Sequence, residues 1–142
     1  MTVAEVISKE ALTTERLLEI YKHAYMDAQI DSDGDVALTI DGFKLFAKVE
    51  PEPKFMTAIR CGFSLKPEAT REQVLELCNR INDRLILIRA SYPEAAPAPM
   101  LWLDHYTDTE AGLTAEEVVD LTRRFVTVFA SIPPLDTDSI MK

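Results

Sequence analysis

Glycine is scarce in this chain: four in 142 residues, alongside two cysteines, two histidines and one tryptophan. Four glycines spread so far apart cannot build the clustered loop that cradles a phosphate. Cys61 and Cys78 sit in otherwise apolar patterns, without the paired spacing of a zinc site or the density of a disulfide scaffold, and read as reduced core thiols. No Gly-x-Ser-x-Gly elbow occurs, and no motif activates Cys61 as a nucleophile. No stretch approaches the ~20 uninterrupted apolar residues of a membrane span. The first ten residues carry two glutamates and lack a basic start followed by an apolar run, so no secretory signal is read and a cytoplasmic protein is expected.

Cations are in deficit as well. Lys and Arg total 15 against 24 Asp and Glu, a formal charge of −9 and a pI near 4.7. Binding to a phosphate backbone depends on cationic side chains releasing counterions. Here the longest basic cluster is Arg123-Arg124, which argues against nucleic acid or an anionic membrane as the main partner.

What the chain does have is core. Hydrophobic residues make up 47% of it, and a domain of this length buries roughly 70% of its unfolded surface without needing metal or disulfides. Thr13 or Thr14 caps a first helix over 14–29, with Leu17, Ile20, Tyr21, Ala24, Tyr25 and Ala28 at three-to-four spacing. Three strands follow, over 36–40, 43–50 and 55–64, the first two joined by the hairpin signal Asp41-Gly42. Thr70 and Gln73 match a capping box for a second helix that ends near Asn82. Strands over 84–92 and 100–106 flank a Pro/Ala loop at 93–99. Thr114 caps the last helix, and Pro133-Pro134 ends it. The order α-β-β-β-α-β-β-α predicts one α+β domain, a five-stranded antiparallel sheet with helices mainly on one face. Residues 1–12 are expected as a leader, 13–132 as the domain and 133–142 as a flexible tail.

Chemistry is thinly represented. Asp31-Ser32-Asp33-Gly34-Asp35 suggests a calcium loop, but placing Gly34 at the sixth position puts Ile40 where the bidentate glutamate belongs. A polar turn from helix to strand is the better reading. His23 and His105 each lack a second histidine at ligand spacing, so no metal and no cofactor are expected. An acid–base pair of His105 with Asp104 or Asp108 requires convergence in space, since strand neighbours point to opposite faces. No catalytic residue is assigned.

Apolar surface is in excess. Val119 and Val126 lie about 100° round the last helix from its main stripe of Val118, Leu121, Phe125, Val128 and Phe129. Phe46, Met56 and Trp102 alternate onto the side of their strands opposite the expected core. An antiparallel sheet covered by helices on one face leaves the other open, and aromatics there are either ordinary half-exposed cross-strand pairs or the mark of a partner surface. Phe46, Trp102, Val119 and Val126 are therefore the candidate partner or dimer contacts.

The helix over 12–25, the strand pair over 31–50 split by Asp-Gly, the Asn79-Arg80-Ile81-Asn82 helix end and the closing helix after Leu113-Thr114 together resemble the YbjN family. The resemblance implies a fold like that of type III secretion chaperones, small acidic proteins that dimerise and hold extended client segments. It also implies a regulator of sensory transduction, and it brings no catalytic residues. Asn79 and Asn82 read as amides that end the helix and tie the turn into the next strand. The function expected is a non-enzymatic, homodimeric protein-binding module, chaperone-like or regulatory, with an unidentified protein client. The alternative is a small-molecule sensor with a pocket between sheet and helices.

Overall fold

The computed structural model describes residues 4–93 and 99–142, so the Pro/Ala loop lies, apart from Pro93 and Pro99, outside the described residues. A threonine opens each of its three helices. Thr13 Oγ1 accepts from the Arg16 amide at 3.1 Å and starts α1 (Thr14–His23). Thr70 and Gln73 form a reciprocal capping box on α2 (Arg71–Arg84). Thr114 Oγ1 accepts from the Glu117 amide while Glu117 Oε1 accepts from the Thr114 amide, opening α3 (Ala115–Phe129) in the same way. Each arrangement satisfies donors that the first turn of a helix leaves without partners.

The first helix is shorter than its periodicity predicts. Ala24 caps it, and Tyr25 turns left-handed at φ 60°. The Tyr25 amide donates to the Lys22 carbonyl and the Met26 amide to the Tyr21 carbonyl, both at 3.0 Å. This is a Schellman closure with tyrosine where glycine is usual. It redirects the chain into a strand that the helical spacing of Ala24, Tyr25 and Ala28 had concealed.

The strands are β1 (Val6–Ile7), β2 (Asp27–Ile30), β3 (Val36–Ile40), β4 (Phe43–Glu50), β5 (Met56–Ser64), β6 (Arg89–Ser91), β7 (Met100–Asp108) and β8 (Leu113–Thr114). The main sheet has six strands rather than five, in the order β2-β3-β4-β5-β7-β6, and β1 pairs with β8 separately. Asp41 and Gly42 both turn left-handed, at φ 50° and 83°, as a two-residue type I′ hairpin requires. The resulting register pairs Val36 with Ala47 and Leu38 with Leu45, all four buried. The intervening Ala37↔Phe46 pair therefore faces the other way. Asp31 to Asp35 is a polar turn, but between strands: Asp31 Oδ1 accepts from the Asp33 and Asp35 amides at 2.9 and 3.0 Å. The strand expected over 84–92 shortens to β6 because α2 runs on through Arg84.

The chain forms two compact units. One comprises Met1–Ile59 with Tyr106–Val126, the other Arg60–His105 with Thr127–Lys142. In the first, Leu17 and Tyr21 of α1 and Val118 and Leu121 of α3 close with Ala47 and Ile59 around a void of about 10 Å³. Tyr21 Oη lies 2.8 Å from Thr122 Oγ1, whose own proton goes to the Val118 carbonyl at 2.9 Å, so the phenol is the donor. Within the expected leader, Ile7 and Leu12 are buried and β1 is paired. Gly112, at φ 79°, lets the β1–β8 backbones close, since a Cβ there would come within 2.5 Å of the Ile7 carbonyl oxygen.

In the second unit Phe63 of β5 stacks on Phe129 of α3, with ring centroids 4.6 Å apart. Val74, Leu77, Cys78 and Ile81 form the buried stripe of α2. Asn82 clamps β6 by donating to the Ala90 carbonyl at 3.2 Å and accepting from its amide at 2.8 Å. The expected flexible tail is instead packed. The Lys66 amide donates to the Ile140 carbonyl and the Lys142 amide to the Ser64 carbonyl, at 2.8 and 3.0 Å, and Ile140 is buried. Asp136 holds the segment in shape by accepting from the Ile140 and Met141 amides.

Candidate partner-binding surfaces

The hairpin register that buries Leu45 and Ala47 sends Phe46 to the side away from α1 and α3. The ring is half-buried and carries a cation, Lys44 Nζ, 5.6 Å from its centroid. In the other unit Trp102 of β7 is also half-buried, with the Arg60 guanidinium 4.8 Å from its ring centroid. Gly62, two residues along from Arg60, makes room for this arrangement: a Cβ there would sit 2.7 Å from Met100 Cε and 3.1 Å from the indole. Arg60 Nε is buried without a hydrogen-bond partner in the protein. Each aromatic thus presents an apolar body beside a positive charge, a combination suited to a mixed polar and apolar contact.

Val119 is half-buried and lines a groove of about 580 Å³ between the last turn of α1 and the first two turns of α3. Ile20, Ala24 and Ala115 add apolar surface to it, and Glu116 and Asp120 stand at its edge. Val126 belongs elsewhere. It is only 6% exposed, buried rather than on an open helix flank. The second half of α3 buries a wider arc than the first, where Glu116, Glu117 and Asp120 keep the helix wet.

The residues weighed for chemistry have structural employment. Both Asp104 carboxylate oxygens accept from Arg89, at 2.8 and 2.9 Å, and the carboxylate is almost wholly buried. His105 Nδ1 lies 2.8 Å from the Leu87 carbonyl oxygen. Burial pushes the Cys61 and Cys78 thiols up to about 11, so both stay protonated and unreactive at neutral pH. Among the described residues no group of three or more His, Cys, Asp or Glu is placed to hold a metal ion, and no helix is long and apolar enough to cross a membrane. The void between α1, α3 and the strands beneath them is about 10 Å³, smaller than a metabolite needs, while a cleft of about 400 Å³ opens between the start of α1 and the connection from β4 to β5.

Residues 13–132 match the family YbjN, described as "Putative bacterial sensory transduction regulator". The chain belongs to the YbjN family. A solved YbjN-family structure, YbjN from E. coli, described as "a putative transcription regulator", is 14% identical, with a TM-score of 0.75 over 92% of this chain and 95% of that one. The fold extends beyond the family. The Yersinia pestis type III secretion chaperone SycH, solved with a stable fragment of YscM2, is 13% identical with a TM-score of 0.51 over 82% of this chain and 99% of that one. A chain of the HopA1–SchA chaperone–effector complex is 10% identical with a TM-score of 0.52, over 82% and 93%. These likenesses establish a shared α+β fold. Among curated proteins none matches the chain.

Sequence reading missed two parts of these surfaces. The Arg60–Trp102 stack joins strands 42 positions apart in the chain, although both residues fall on the non-core parity of their strands. The groove depends on α1 stopping at His23. The spacing of Glu116 and Asp120, one helical turn apart, was its visible signal.

Proposed function

We propose that this YbjN-family chain is a non-enzymatic protein-binding module of the cytoplasm, chaperone-like or regulatory, that acts as a homodimer and captures a segment of a client protein. The aromatic–cation pairs are the observation that carries this reading. Phe46 with Lys44 and Trp102 with Arg60 offer apolar area and donors together, while the titratable groups weighed for catalysis are tied into the fold. In fold alone the chain resembles chaperones solved with a partner fragment or an effector, which supports a binding role by analogy. Phe46, Trp102 and Val119 are the contacts proposed, and the buried Val126 is not among them.

The test is capture from native cell extract with tagged protein, comparing wild type with the folded double variant Phe46→Ala/Trp102→Ala. A protein enriched on wild type and lost on the variant supports the reading and locates the surface. Recovery of the chain alone, or enrichment indifferent to the two substitutions, overturns it.

A further inference from the structure

The groove between α1 and α3 has a chemistry of its own. Its apolar surface comes from Ile20 and Ala24 on one helix and Val119 on the other. The two helices are fixed to each other by the buried Tyr21–Thr122 hydrogen bond, so the groove is preformed. Along its α3 side Glu116 and Asp120 are both exposed and stand four residues apart on one face of the helix. Like charges at that spacing disfavour the helix by a few tenths of a kcal/mol. Glu116, in the first turn, also meets the positive end of the α3 dipole, whereas Asp120 lies beyond that turn and the cap is completed by Thr114 and Glu117. The groove receives both the C-terminal end of α1 and the first turn of α3, so the opposite helix poles offset each other and the side chains set its charge. Arg123 and His23 line it too, but the carboxylates outnumber the guanidinium in a chain whose formal charge is −9.

From this we infer that the groove docks a basic amphipathic helix of the client protein, an inference that rests on the protein-binding reading above. A helix between two helices places aliphatic side chains at i, i+3 and i+4 on the apolar surface. Its lysines or arginines, one turn apart, then meet Glu116 and Asp120, whose own spacing is one turn. An acidic or phosphorylated segment meets repulsion on the same face. The apolar contact supplies affinity and the carboxylates select the partner.

The probe is a fluorescein-labelled 18-residue helical peptide, with leucine on one face and lysine one turn apart on the flanks, titrated with the intact chain and read by anisotropy. A counterpart with glutamate for lysine is run beside it. The lysine peptide is expected to bind, more weakly as salt rises, and the glutamate peptide is not. Glu116→Lys/Asp120→Lys is expected to weaken binding by about tenfold or more. The matched variant Glu72→Lys/Glu76→Lys, which makes the same charge change on exposed positions of α2, is expected to leave it within about twofold. Circular dichroism of both variants verifies the fold. Equal losses in the two variants reveal non-specific attraction to an acidic protein and overturn the groove assignment, as does equal binding of the two peptides or none of the lysine peptide. Client capture that still depends on Phe46 and Trp102 would then leave the broader reading standing, whereas its failure together with the peptide result removes both.

Discussion

Tyr21 shows how one buried side chain can set the pH range of a fold. Its ring is 1% exposed and its hydroxyl donates to Thr122. Burial pushes the phenol up to about 12, against a smaller lowering from the Thr122 contact. A raised folded-state value means that the stabilising difference is complete below the unfolded tyrosine value near 10 and is lost as pH climbs towards 12. Chemical denaturation between pH 9 and 12 is expected to show a fall of about 2–3 kcal/mol assignable to this group. Cys61 and Cys78, raised from 9.0 to about 11, begin the decline earlier. Tyr21→Phe should remove the part of the fall between pH 10 and 12, at a cost of about 1 kcal/mol at neutral pH for the lost hydrogen bond. An unchanged alkaline profile in the variant would refute the assignment. Tyr25 presents the opposite case, 98% exposed and left-handed, and it marks where reading residue types fell short. Without a glycine or asparagine at the turn, nothing in the sequence announced that α1 stops at His23.

Elements were legible to the extent that their information is local. The Asp41-Gly42 hairpin and the Thr70/Gln73 capping box lie within a few residues of their partners, and both occur as the sequence predicts. Asn82 likewise ties the end of α2 to β6. β1 and β8 are two residues each, too short for any periodicity, and they exist through their mutual pairing and the space at Gly112. The docked tail has its apolar anchors, Ile132 and Ile140, eight residues apart across polar chain, so only the receiving surface reveals its role. The short edge strand β6 depends on a cross-strand ion pair, Arg89 with Asp104 directly opposite on β7. Arg89 is largely exposed while Asp104 is 2% exposed, so removing the arginine strands a carboxylate. Arg89→Ala is expected to cost about 2 kcal/mol in urea denaturation, and adding Asp104→Asn should recover part of that by discarding the charge. A loss in the double variant equal to or greater than that in the single would show that the pair contributes nothing specific.

At the scale of the whole molecule, the candidate surfaces were legible as excess apolar residues on unexpected sides of strands and helices. What the sequence could not resolve was depth. Val119 and Val126 occupy the same stripe of α3 two turns apart, yet one is half-buried and the other belongs to the core. This separates two experiments that sequence alone would merge. Val126→Asp buries a charge at a position only 6% exposed and is expected to unfold the domain, read as loss of the cooperative melting transition. Val119→Asp should keep the melt within a few degrees and, if this flank joins two copies, convert a dimer to a monomer in sedimentation equilibrium. A dimer that survives Val119→Asp would place the self-association surface elsewhere.

The main sheet begins at β2 and ends at β6, and among the described residues no further strand pairs with either end. β6 is only three residues long, while β2 starts at Asp27 and runs into Asp31, Asp33 and Asp35. Aspartates on an open edge deter neighbouring molecules from adding strands. At the pI near 4.7 the net charge of the whole molecule vanishes, and with it the long-range repulsion that keeps copies apart. A purification scheme should therefore keep well above that value, and turbidity of a concentrated sample should rise steeply on approaching it.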